Sequence, residues 1–458
     1  MKHESHSKAN TSARKMRRIL RVIAGAAAVC LLAAGCSSAA NAPTGNNVLA
    51  AQAVYPKMSE YPNELSPNFD SDYDKWRSDR QAQLCNVSGY ADNLWDFYGG
   101  STRQFLSGAE ENRVYSPVNL YMALSMLAEM TDRQSRSEIL DLLSAEDMEA
   151  LRTQAGQGWN ANYCDDGAIT SLLGNSVWLD SSLDYRQDVL NTLAENYYAS
   201  GYYGSFGSEE MNTALRSWLN EQTGGLLKDA AENAELSPQA VLAMYSTVLF
   251  KGKWSAEFDP RNNDAKLFHA AGGDVSAEFM NCSRYMTYYC GEDFGAVRLS
   301  FASDCGMWLI LPDEDKSVGD VLAAGEYMEL VKSGVAWENS SLYHVNLSVP
   351  KFDVASSFDL TDGLNALGIT DVFSPDAAEF CLLNGGSSGV YLGKATHSAR
   401  VKIDEEGCEA SAFTEMIAAG AAMPTGDDID FVLGRPFLFV IDGMDGQPLF
   451  VGTVYQPV

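Results

Sequence analysis

From about Gln81 onward the apolar positions fall at helical spacing, with Leu94, Phe97 and Tyr98 on one face, and predict a helix over about 86–106. A second follows over 117–145. It opens at Ser116-Pro117, where proline suits a first turn because its missing N–H would have no partner there anyway. Further helices are predicted around 183–199 and 209–223. The rhythm then changes to apolar runs of strand length at 243–250, 296–301, 307–311, 342–352, 399–403 and 437–441. Helices first and sheet afterwards is an α+β order, and the lack of regular strand–helix alternation disfavours a doubly wound parallel sheet.

The front of the chain has another pattern. Arg14, Lys15, Arg17, Arg18 and Arg21 precede an apolar run over 22–34 that is too short to span a bilayer comfortably, the layout of a secretory signal. The run ends Leu32-Ala33-Ala34-Gly35-Cys36, which resembles the cleavage box of bacterial lipoproteins, although Ala33 stands where the usual pattern has leucine. That resemblance implies removal of residues 1–35 and lipidation of Cys36, so that acyl chains hold the body at a membrane surface. Residues 36–80, with Pro43, Pro56, Pro62 and Pro67 among polar residues, read as a flexible tether. Residues 81–458 then form one large domain.

The chain has 458 residues, 46% of them hydrophobic, enough for a large buried core. Its formal net charge is -29. Because residues 1–35 are basic, the remainder is more acidic still, which would repel a phosphate backbone; no nucleic-acid partner is expected. Catalytic motifs are scarce. There is no HExxH, CxxC or P-loop, and the five histidines are scattered, so neither metal nor cofactor is expected. Gly385-Gly386-Ser387-Ser388-Gly389 satisfies the G-x-S-x-G pattern of a membrane-tethered serine hydrolase, but its sequel is poor helix material, and a plain Gly/Ser loop is the simpler reading. Disulfides Cys85–Cys164 or Cys282–Cys290 are open to an exported protein, and spacing does not choose between them.

The most informative stretch lies near the C-terminus. Asp404-Glu405-Glu406-Gly407-Cys408-Glu409-Ala410-Ser411-Ala412-Phe413-Thr414 is followed, after a run of small residues, by Phe431-Val432-Leu433-Gly434-Arg435-Pro436-Phe437. Upstream stand Asn175-Ser176-Val177-Trp178, Trp218-Leu219-Asn220-Glu221, Phe250-Lys251-Gly252-Lys253-Trp254, Val349-Pro350-Lys351-Phe352, and Leu367-Gly368-Ile369-Thr370-Asp371. Together, and in this order, they resemble the serpins, the serine protease inhibitor family.

The resemblance implies an α+β serpin fold with an exposed bait loop at about 405–430, which after cleavage inserts as a new strand of a sheet. An inserted central strand alternates faces, so every second residue must tolerate burial. Cys408, Ala410, Ala412, Thr414, Met416 and Ala418 would point inward, and none is charged. Glu409 and Phe413 would point outward. Family spacing from the hinge glycine, Gly407, puts the scissile bond at Ala421-Ala422. Small residues there, with no base, favour elastase-like or subtilisin-like serine proteases. By the same resemblance Trp254, Lys351 and Glu405 form the breach where insertion starts. Ser116, Asn119, Ser246 and His397 form the shutter beneath it, where Asn119 and Ser246 stand in place of the family's usual serine and asparagine. The expected molecule is a monomer, without a glycosaminoglycan site in so acidic a body. A non-inhibitory binding protein of the same fold is the alternative.

Overall fold

The computed structural model describes residues 48–457 apart from 64–65, 85–88, 109, 226–227, 302–304, 387–388, 394 and 409–427. The apolar helical stretches form where local chemistry starts and stops them. Ser116 caps the helix Pro117–Met130, its side chain accepting from the Asn119 N–H, with Pro117 in the first turn. Ser208 does the same for the helix Glu209–Gln222. The stretch expected as one helix over 117–145 is two, Pro117–Met130 and Arg133–Leu142. At the break the Asp132 N–H turns away to the Glu379 carbonyl at 3.0 Å, and Arg133 takes φ +48°. The first predicted helix starts later than its apolar pattern suggested, at Trp95.

Two sheets carry the rest. The first contains, in spatial order, β1 (Leu49–Ala51), β5 (Ala199–Gly204), β4 (Ile169–Asp180), β6 (Leu242–Lys253), β14 (Gly407–Cys408), β13 (Thr396–Ile403) and β12 (Phe352–Asp359), with β3 (Cys164–Asp165) paired to β4. The second runs β15 (Ile429–Val432), β11 (Ser340–Pro350), β8 (Gly273–Cys290), β9 (Phe294–Ser300), β10 (Gly306–Pro312), β16 (Phe437–Asp442), β17 (Pro448–Val454) and β2 (Arg113–Tyr115), with β7 (Asp264–Ala270) beside β8. All six predicted strands fall in these ladders, and the fold is α+β. β4, β8 and β17 were not predicted. β8 illustrates why: it carries Glu278, Asn281 and Arg284 among its apolar positions, so no continuous hydrophobic run marks it.

The segment expected as a tether is built into the body from residue 48 onward. β1 pairs antiparallel with β5 and covers that edge of the first sheet. Tyr55 stacks with Trp159 and Tyr163 at ring-centroid distances of 5.7 and 5.6 Å, and its hydroxyl donates to Gln222 at 3.2 Å. The helix Phe69–Leu84 follows, and Trp76 donates to Asp166 at 3.1 Å. Prolines and polar residues hid this, because the aromatics that dock the segment find their partners some hundred residues downstream. Residues 1–47, including Cys36, lie outside the described residues.

Cys282 and Cys290 are both free and sit on one strand, eight residues or about 26 Å apart, so they cannot be bridged. Cys164 is also a free, buried thiol; Cys85 lies outside the described residues. Ser387 and Ser388 likewise lie outside them, but a short helix, Cys381–Asn384, precedes the Gly/Ser run and no helix follows it before β13 among the described residues. That is the reverse of the strand-then-helix order a nucleophile elbow needs.

Candidate functional site

The site lies along the seam between β6 and β13. Among the described residues no ladder joins these two strands directly; they meet only through the two residues of β14. Gly407 faces Lys253, and Cys408 faces Gly252 on one side and Ile403 on the other. A tight turn delivers the chain there. The Asp404 N–H donates to the Gly407 carbonyl at 2.9 Å, and the Asp404 carboxylate accepts from the N–H groups of Glu406 and Gly407 at 3.0 and 3.3 Å. Gly407 has to be glycine, since a Cβ there would lie 2.2 Å from the Gly252 carbonyl oxygen and 2.8 Å from the Lys253 Cα. Cys408 is buried and fills its place as a small apolar side chain.

Three predicted residues converge around this turn. Trp254 is buried, stacks on Phe301 at 4.6 Å, and donates from its indole to the Asp404 carbonyl at 2.9 Å. Its backbone N–H donates to the Glu406 carbonyl at 3.0 Å. Lys351 bridges Glu405 at 2.6 Å and Glu278 at 3.0 Å. Burial alone would push the Glu405 carboxyl up, but hydrogen bonds from Lys351, its own backbone and Asn263 hold it below its usual value. Burial likewise opposes the charge on Lys351, and the bonds to Glu405 and Glu278 outweigh it, raising that group. Asn263 and Glu278 were not anticipated. They come from β8 and the loop before β7, and nothing local in the sequence marks them.

Lower on the seam Ser116, Asn119, Ser246 and His397 also come together. The Ser116 N–H donates to His397 Nε2 at 3.1 Å, and the Ser246 hydroxyl lies within hydrogen-bond reach of the side-chain carbonyls of Asn119 and, at 2.7 Å, Asn175. Asn175, itself held by the Tyr197 carbonyl at 3.1 Å, was missed, although it stands in the run 175–178 quoted for the resemblance. His397 is wholly buried, which pulls its pKa down to about 4 and keeps it neutral, as its acceptor role requires. Among the described residues the Asn119 amide nitrogen is buried without a partner. Turned over, the Asn119 amide could donate to Ser246 and free the single hydroxyl proton for Asn175.

Beside this cluster an apolar cleft of about 50 Å³ opens between β6 and β13, lined by Leu120, Leu124, Met244, Leu364 and Leu392. Along this seam the structure therefore places a hinge at the top, apolar walls, and a polar knot partway down. No group of acidic, histidine or cysteine side chains fit to hold a metal occurs among the described residues. Glu409, Ala410, Ala412, Thr414, Ala421 and Ala422 lie outside the described residues.

Comparison with known proteins agrees with this geometry. The family model described as "Serpin (serine protease inhibitor)" matches residues 101–457. A serine protease inhibitor of Cyanea capillata is 27% identical over 362 residues, covering 76% of this chain and 93% of its own. Alpha-1-antitrypsin of Meriones unguiculatus is 27% identical over 383 residues, covering 80% and 90%. Among solved structures, the thermophilic serpin tengpin in its native state superposes with a TM-score of 0.71 at 23% identity over 81% of this chain and 94% of its own. Thyroxine-binding globulin in complex with thyroxine gives 0.68 at 21% identity over 81% and 98%.

Proposed function

The chain belongs to the serpin family, and on that premise we propose that it is a suicide inhibitor of serine proteases, with elastase-like or subtilisin-like enzymes as targets. One observation carries the reading: β14 is seated between two strands that, among the described residues, do not otherwise pair with each other. If the loop continued in the register of Gly407 and Cys408, Ala410 would face Phe250 and Val401, Ala412 would face Val248 and Ala399, and Thr414 would face Ser246 and His397. These inward positions are small and uncharged, and the threonine hydroxyl would arrive at the polar knot. In the proposed reaction the protease serine attacks the Ala421 carbonyl, the 421–422 peptide bond breaks, and the Ala422 nitrogen leaves with the proton. The ester to Ala421 persists while the loop inserts.

Mixing the protein with pancreatic elastase tests this. A detergent-resistant band is expected, at the summed mass less the released C-terminal peptide, and that peptide should begin at Ala422. Cleavage near Ala421 without such a band would overturn inhibition and leave a non-inhibitory binding protein of the same fold. On sequence alone, we also propose that Cys36 carries the lipid of an exported, membrane-held form. Incorporation of labelled palmitate that survives Cys36→Ala would refute it.

A further inference from the structure

The second sheet turns one face outward beside the place where the loop returns. On β8 and β11 that face carries the cross-strand pairs Ser283–Asn346, Tyr285–His344 and Thr287–Leu342. Tyr285 and Leu342 are 44% and 45% exposed, and they are diagonal neighbours on the pleat, so they form a patch rather than scattered single side chains. Tyr285 meets His344 edge-on at 5.1 Å. β15 adds two carboxylates: Asp428 stands 3.3 Å from His344 Nδ1, and Asp430, opposite Asn346, accepts from that side-chain amide at 2.8 Å. Neither aspartate pairs with a lysine or arginine among the described residues, so their charge remains available to a partner.

This face is continuous with the bait. Asp428 is six residues from Ala422, a span of at most about 20 Å. An enzyme closed on the 421–422 bond would overhang it. We propose that this face is a second contact for the captured serine protease, an exosite selecting enzymes with a basic, partly apolar rim. Tyr285 and Leu342 take an apolar side chain of that rim, and Asp428 with Asp430 takes a basic one. The net charge of -29 acts in the same direction by steering basic partners toward the molecule. The inference rests on the loop being protease bait, though not on the fate of the acyl bond.

The test uses the full chain, pancreatic elastase, and the double variants Asp428→Asn/Asp430→Asn and Tyr285→Ala/Leu342→Ala. The readout is the second-order rate of loop consumption, counting cleaved and complexed protein together. The free peptide 409–427 gives the rate without any body. The parent is expected to react faster than the peptide. The aspartate pair should lower the low-salt rate about three- to tenfold and flatten its salt dependence. The Tyr285/Leu342 pair should lower the rate by a similar factor at low and high salt. Stoichiometry and melting temperature should not move. Parental rates in both double variants would overturn the exosite, as would a parent no faster than its peptide. Consumption without a stable complex would sink only the inhibitory reading, and no cleavage of the parent would sink both.

Discussion

The upper and lower parts of the seam between β6 and β13 are held in opposite ways. At the top the hinge is latched by many bonds of different kinds: the indole of Trp254, the Lys351 bridge to two glutamates, the turn at Asp404, and a glycine with no room for a side chain. Below Cys408 the strands share no ladder among the described residues, and one small polar knot spans the gap. On the inhibitory reading proposed above, the top would decide whether a strand enters, and the lower seam whether it stays. Such an insertion would need both a start that does not slip and neighbours below it that can accept a new strand.

The largest effect should come from filling the path with charge. Thr414→Arg would have to bury a guanidinium between Ser246 and His397, at a cost of several kcal/mol. Covalent complex with elastase should fall at least about tenfold while loop cleavage stays at the parental rate; parental complex yield would show that the lower seam is not the path.

Acid should act on the lower seam next. His397 titrates at about 4 in the folded protein against 6.5 for the ordinary group. Between those values the unfolded chain holds a proton that the folded chain does not, so stability falls as pH drops from 6.5 toward 4 and is flat above. The loss should reach ~3 kcal/mol. His397→Gln should flatten that segment of a denaturation-versus-pH curve, and an unchanged slope would assign the acid sensitivity elsewhere.

At the top, Lys351→Met leaves Glu405 and Glu278 facing each other without their shared cation. Because the lysine is partly solvated and Asn263 still donates to Glu405, a loss of about 1–2 kcal/mol is expected by urea titration. A loss no larger than that of an exposed lysine would remove the latch from the comparison.

The finest test separates knot from scaffold. Asn119→Ala and Ser246→Ala together should cost less than the two singles summed, by about 0.5–1 kcal/mol, because each single strands the other's partner. Additivity would mean that the two residues act independently.

Much of this was legible beforehand, unevenly. The apolar runs located six strands, and Ser116-Pro117 announced its helix, because capping and periodicity are local. Trp254, Lys351, Glu405, Ser116, Asn119, Ser246 and His397 were named through family resemblance, and the structure brings them together in two groups. Asn263, Glu278 and Tyr197 carried no sequence signal, since each reaches the site through a residue far along the chain. Within the stretch expected as a tether, residues 48–80 are part of the body for the same reason: a proline-rich, polar stretch looks unattached until Trp159, Tyr163 and Gln222 come to meet it.

The sequence alone determined the class of the fold and the acidity that disfavours nucleic-acid binding, both properties of residue type and spacing, and its resemblance to the serpins pointed to a loop whose alternate positions carry no charge. The tertiary structure decided that the hinge already occupies the first rung between β6 and β13, that no ladder joins these strands below it among the described residues, and that Tyr285, Leu342, Asp428 and Asp430 share one open face beside the loop's return. Those facts depend on which distant strands become neighbours, and strand pairing is set by global packing.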